Sequence, residues 1–173
     1  MIDILTKRRS IRKYKDQEIE EEKLDTLIKA ALLSPSSKDR KPWEFILIKD
    51  KETLQKLSKS KQKGIQFIEN ATLGIVVLGD EQISDVWVED TTIAATIIQL
   101  TAESIGLGSC WSQIRNRPHD EVKTAEKYVQ EILNIPENKR VECIIGIGYP
   151  DEEIAPHNLH ELKFEKVHID KYK

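Results

Sequence analysis

The 173-residue sequence holds little of what dictates special architectures: 2 cysteines, 7 glycines, 6 prolines and 6% aromatic residues. Cys110 and Cys143 allow at most one bridge and form no C-x-x-C pair, so a disulfide-built fold is excluded and a reducing compartment is expected. The low glycine and proline content excludes collagenous, linker-like and low-complexity segments. No apolar run, residues 74–79 included, approaches the roughly 20 residues that span a bilayer. The opening MIDILTKRRS also lacks the apolar stretch of about 7–15 residues found in a secretory signal. A cytoplasmic protein with no membrane partner is expected.

What is abundant is charge, at 33% of residues, with 27 Lys+Arg against 30 Asp+Glu and a net of −3. A nucleic-acid coat is usually basic, so that partner is excluded as well. The average hides a local excess. Residues 1–15 carry Lys7, Arg8, Arg9, Arg12, Lys13 and Lys15 against Asp3 alone, a balance of +5 that leaves −8 for the remainder. Such a terminus is either a solvated tail or a holder of anions.

The length suits one domain of about 100–200 residues, and no repeat or composition break divides residues 1–173. Apolar periodicity predicts a short helix over 2–6, a helix over 20–33 stopped by Pro35, a weaker helix over 51–60 and an amphipathic helix over 119–133. A long helix over 86–105 is apolar on most faces and is expected to be buried, centrally or beneath a second subunit. Strands are expected at 43–48, 73–79 and 141–149, and residues 166–169 could form an extended edge or an arm. Helices and strands do not alternate strictly, which favours α+β with a central sheet over a doubly wound parallel sheet.

Several chemistries are disfavoured. Gly106-Leu-Gly108 and Gly146-Ile-Gly148 could each open a dinucleotide fingerprint, but Trp111 and Asp151 stand where its third glycine belongs. No Walker sequence is present. His157 and His160 alone are too few to hold a metal. Cys110 with His119 as its base would be a nucleophile lacking any recognisable local signature.

The segment KRRSIRKY is more informative. Arg8, Arg9, Ser10 and Arg12 fall within five residues, and in an extended chain Arg8, Ser10 and Arg12 share one side. Guanidinium forks and a hydroxyl suit a phosphate-like oxyanion. This opening, followed by PSSKDRKPWEF, GLGSCW, IIGIGYP and the tail ending EKVHID, resembles the FMN-dependent nitroreductase family. The resemblance keeps the family's order over nearly the whole chain.

It implies a nitroreductase-like α+β fold, with a mixed or antiparallel central sheet flanked by helices, forming a homodimer with FMN at the subunit interface. By that resemblance Arg8 and Arg9 lie on the FMN phosphate side, and Ser10 and Arg12 at the isoalloxazine edge. Pro35, Ser36 and Ser37 contact the ring from the other subunit. Trp111, Ser112 and Gln113 lie near its reactive N5, with Trp111 in a turn after the buried helix. Trp43, Phe45 and Trp87 read as packing residues. Asp39 and Lys41 depart from the family's usual Asn and Gln. Arg115 and Arg117 border the expected pocket, where they are either solvated or recognise a nicotinamide phosphate or acidic substrate. His157, His160 and Lys163 are candidates for the phosphate with no register assigned. The implied activity passes hydride from NAD(P)H through FMN to an electron-poor small-molecule acceptor of nitroaromatic or quinone type. One site is used in turn, and no side chain acts as catalytic acid or base. The alternative is an FMN-binding protein without reductase turnover.

Overall fold

A computed structural model describes residues 1–172. Its frame is a four-stranded sheet of order β1-β2-β4-β3, from β1 (Trp43–Ile48), β2 (Leu73–Asp80), β3 (Gly108–Gln113) and β4 (Lys139–Gly148). All three strand pairings are antiparallel. The one parallel contact among the described residues is an isolated bridge from Ser10 to Ser109. Side chains alternate across each strand, so β2 sends Leu73, Ile75 and Val77 to one face and Val76 and Leu78 to the other. Each face carries its own core.

Helices α2 (Glu21–Leu32) and α4 (Trp87–Ser104) cover the first face. α2 buries Leu24, Leu27 and Ala31, one helical stripe, and its acidic first turn suits the helix dipole. α4 buries Ala94, Ala95 and Ala102, whose small side chains admit close approach to the sheet, while Ile93 stays 41% exposed. Helices α3 (Lys51–Leu57) and α5 (Ala125–Leu133) close the second face through Leu54, Leu57, Ala125 and Val129. Each is capped by a side chain: Asp50 accepts from the Thr53 N–H at 2.8 Å, and Thr124 from the Lys127 N–H at 3.1 Å. The shortest helix, α1 (Ile2–Lys7), buries none of its residues.

Three expectations change. GLGSCW does not end in a turn: its last four residues open strand β3, paired with β4 from Gly108↔Gly148 to Gln113↔Cys143. Helix α5 begins at Ala125, not at 119, because Asp120 accepts from the N–H groups of Val122 and Lys123 at 2.8 and 2.7 Å and ties the preceding residues into a turn. Residues 166–169 form no strand; the tail beyond residue 155 is exposed, with two 3₁₀ turns, Leu159–Glu161 and Phe164–Lys166.

A bulge interrupts β4. The ladder steps from Val77↔Cys143 to Leu78↔Val141, leaving Glu142 without a cross-strand partner in β2. Both Glu142 and Cys143 then turn toward the α4 side.

Candidate active site

The basic N-terminal segment is pinned to the free edge of β3. The Ile11 N–H donates to the Ser109 carbonyl at 3.0 Å, and Ile11 is buried. The segment is held from its other side by the tail. Asp151 N–H donates to Lys13 O and His157 N–H to Thr6 O, each at 2.9 Å, and the Arg9 guanidinium donates to the Ala155 carbonyl. Glu152 accepts from the N–H groups of Arg12 and Lys13. Burial pushes the Cys110 thiol up, opposed by the Arg12 charge, a Ser10 hydrogen bond and the Arg8 charge. Arg8, Ser10 and Arg12 thus all lie near Cys110 of β3.

Lys61, which no sequence pattern marked, joins them. It donates to the Gln113 carbonyl at 3.0 Å; burial and the nearby Arg117 charge lower its pKa. The Ser112 hydroxyl donates to Gly64 O at 3.4 Å, so the whole 61–64 loop packs on this strand. Because the Ser109 carbonyl faces outward, the alternation of antiparallel pairing turns the Trp111 and Gln113 main chains outward too. Ile11 occupies Ser109 and Lys61 occupies Gln113, which leaves the outward N–H of Trp111 between them.

The charge pattern of this edge differs from that of the rest of the molecule. Of seven arginines, Arg40 and Arg140 pair with carboxylates. Among the described residues, Arg8, Arg9, Arg12, Arg115 and Arg117 have no such pair, and all five lie in the N-terminal segment or the loop leaving β3. Five unneutralised guanidinium groups, one lysine, a hydroxyl and an outward amide form a donor set for an anion rich in hydrogen-bond acceptors. FMN, with its phosphate and ring carbonyls, fits that chemistry.

On the α4 side of β3 lies a second arrangement, one that no motif announces. The Trp111 Nε1–H donates to Gln113 Oε1 at 2.9 Å, and Gln113 Nε2 donates to Glu142 Oε1 at 2.9 Å. Glu142 is 3% exposed, its Oε2 has no partner, and burial raises its pKa against the Gln113 hydrogen bond and the Arg115 charge. Arg115 lies over the Trp87 ring at 5.7 Å. One carboxylate inside the apolar run VECIIGIGY was the available signal.

Pro35, Ser36 and Ser37 stand elsewhere. The Ser37 N–H donates to the buried Asp90 carboxylate at 2.8 Å, and the Ser36 hydroxyl accepts from Lys41 N–H at 2.8 Å. Lys38, Asp39 and Lys41 all have positive φ, and Asp39 pairs with Lys41 at 3.2 Å. This loop enters β1, whose Trp43 aligns through Gly79 with Arg140, whereas Ser109 aligns with Ile147. Seven residues of β4 separate the two levels, roughly 20 Å along the strand. One protomer therefore does not bring this loop to the Ser109 end of β3, where the N-terminal segment is pinned. Of the tail candidates, His157 reaches the N-terminal segment through its backbone, while His160 and Lys163 are exposed. A cavity of about 960 Å³ includes Arg12 but runs away from β3 toward Asp16, Lys49 and Glu69.

The Cys110–His119 pairing loses support. His119 stacks on Tyr128 at 4.1 Å and its Nδ1 contacts Ser60 O, with Cys110 buried separately on β3. No group of three or more potential metal ligands occurs among the described residues. No helix among them is long and apolar enough to cross a membrane.

The sequence profile of the Nitroreductase family matches residues 5–73 and 58–149. The chain belongs to the nitroreductase family. The crystal structure of an FMN-dependent nitroreductase from Clostridium difficile R20291 shares 53% identity, covering 99% of this chain and all of that one with a TM-score of 0.97. Nitroreductase A from Vibrio parahaemolyticus, at 25% identity, covers 99% of this chain and 76% of its own with a TM-score of 0.85. A protein of Archaeoglobus fulgidus, provisionally named NADH dehydrogenase/NAD(P)H nitroreductase, is 39% identical over 150 residues, 84% of this chain and 83% of its own. The nitroreductase-like α+β fold implied by the five motifs is the observed one.

Proposed function

We propose that this nitroreductase-family chain is an FMN-dependent oxidoreductase that uses NAD(P)H to reduce an electron-poor small molecule of nitroaromatic or quinone type. The observation carrying this reading is the collection of all five carboxylate-free arginines around β3. FMN held there would supply two-electron redox chemistry between a nicotinamide donor and an acceptor that use one place in turn.

The chain's residues do the rest. Arg8 and Arg9 hold the phosphate. Ser10, Arg12 and Lys61 present a hydroxyl and two cations to the ring edge where negative charge collects on reduction, which favours the reduced form. The outward Trp111 N–H, flanked by Ser112 and Gln113, offers a fixed main-chain donor to the ring. Arg115 and Arg117 supply positive charge at the mouth, where an anionic donor or acceptor approaches. No side chain is assigned a proton transfer; position, charge and exclusion of water suffice for a hydride step.

A homodimer completes this site. Pro35, Ser36 and Ser37 reach the ring from a second protomer, in keeping with their distance from the Ser109 end of β3 within one chain. Apolar surface left open in the single chain supports association: an apolar hollow of about 340 Å³ between α2 and β1, and Phe164, Val167 and Ile169 exposed on the tail.

The test is direct. Purified protein carries a flavin spectrum or takes up FMN, and anaerobic NADH or NADPH bleaches it. Persistent oxidised flavin with both donors refutes the reductase and leaves a flavin-binding protein. A colourless protein that cannot be loaded refutes both. A species of 20.0 kDa by light scattering with FMN bound refutes the interface site.

A further inference from the structure

We infer that Glu142 is a positioning residue that acts through Gln113 to fix the Trp111 indole as a wall of the cofactor site. The wall rests on the FMN reading; the positioning does not. An indole N–H can only donate, so Gln113 must present its Oε1 to Trp111 at 2.9 Å. Its amide nitrogen is thereby aimed the other way, where it donates to Glu142 Oε1 at 2.9 Å and, in a longer bond, to the Arg115 carbonyl at 3.4 Å. The carboxylate oxygen, the shorter and charged of the two acceptors, therefore sets the orientation of two consecutive groups, ending at the ring.

The fold does not need this carboxylate. The end of β3 is already held by the backbone, since the Glu142 carbonyl accepts from the N–H groups of Ile114 and Arg115 at 3.1 Å each. Leaving Oε2 buried and unpartnered costs stability, and an apolar side chain of similar volume would avoid that cost. The bulge that turns Glu142 toward α4 is what brings its Oε1 to Gln113.

Four proteins test this: the wild type, Glu142→Leu, Glu142→Gln and Gln113→Leu. Hydrogen exchange of the Trp111 indole N–H, monitored by NMR without cofactor, is expected to speed up about five- to ten-fold in E142L and Q113L. In E142Q, which retains an acceptor oxygen, it stays near wild type. In FMN-loaded protein, E142L is expected to alter the visible circular dichroism of the flavin and raise acceptor KM several-fold, with kcat within about two-fold. Unchanged indole exchange in E142L overturns the inference, as does E142Q behaving like E142L. So do wild-type flavin dichroism and KM in an E142L protein whose indole has been freed. Wild-type protein that binds no FMN refutes the proposed function and the wall, while the exchange data still decide whether Glu142 positions Trp111.

Discussion

Gly108→Ala probes the link between sheet and site. A Cβ at Gly108 would lie 2.8 Å from Ile11 Cβ and Cγ2 and 2.9 Å from Cγ1. Ordinary carbon contacts are about 3.5–4.0 Å, so the overlap is ~1 Å. Ile11 Cβ is fixed to its backbone and no rotamer relieves it, so the segment must move off β3 by a similar distance. The Ile11 N–H to Ser109 bond, now 3.0 Å, would stretch beyond hydrogen-bonding range. Loss of that bond, about 1 kcal/mol, adds to overpacking strain of about 1–3 kcal/mol. The sum of about 2–4 kcal/mol lowers Tm by roughly 5–15 °C in a chain of this length. Ser10 and Arg12 flank Ile11, so FMN affinity is expected to fall about ten-fold or more as their geometry is lost. Thermal melts with and without FMN, beside a flavin-fluorescence titration, measure both. Gly106→Ala is the control: its φ of +78° makes alanine cost about 1–2 kcal/mol, but no atom lies within 4 Å, so FMN affinity should hold. A Gly108→Ala protein with wild-type Tm and FMN affinity refutes the claim that β3 positions the arginine segment.

The same geometry sets three further outcomes. Arg12→Met should weaken FMN binding about ten- to hundred-fold and reduce its salt dependence, read by titration at two ionic strengths. Burial raises the Glu142 carboxyl above its unfolded value of about 4.3, so the folded state holds the proton more tightly and its stability falls as pH rises through the folded value. Urea melts should therefore show Glu142→Gln gaining stability relative to wild type as pH rises above the unfolded carboxyl value, and a pH-independent difference would refute the linkage. Arg140 grips Glu126 with two bonds of 2.9 Å while its side chain is 32% exposed. After allowance for solvent screening, Arg140→Ala should cost about 1–2 kcal/mol in urea melts, and no loss would mean that solvent replaces the pair.

Which parts were legible in the sequence depends on where the information lies. The 43–48 strand is observed unchanged and the long apolar helix shifts by one residue at each end, because periodicity and burial agree there. β3 escaped because GSCWSQ has no apolar run; its strand identity comes from pairing with β4, a tertiary cause. The arginine cluster was readable because its members are sequence neighbours. Lys61 was not, since it stands in no periodic run or motif and only the fold lays it on Gln113. Glu142 was hidden for the converse reason, as the apolar run around it predicts a strand without saying where a bulge turns its carboxylate.

The sheet order has a consequence for how this protein is made. β4 lies between β2 and β3, yet it is the last of the strands to be synthesised. Until residue 148 has left the ribosome, the chain can form only the β1–β2 pair, which is marginal in water. At about 5–20 residues per second, the stretch from β2 to the end of β4 takes several seconds to translate. During that interval the Leu73, Ile75 and Val77 face and the apolar side of α4 lack most of the surface they later cover. The nascent chain is thus most exposed to aggregation late in its synthesis, and closure of its sheet waits on the strand that also carries Glu142.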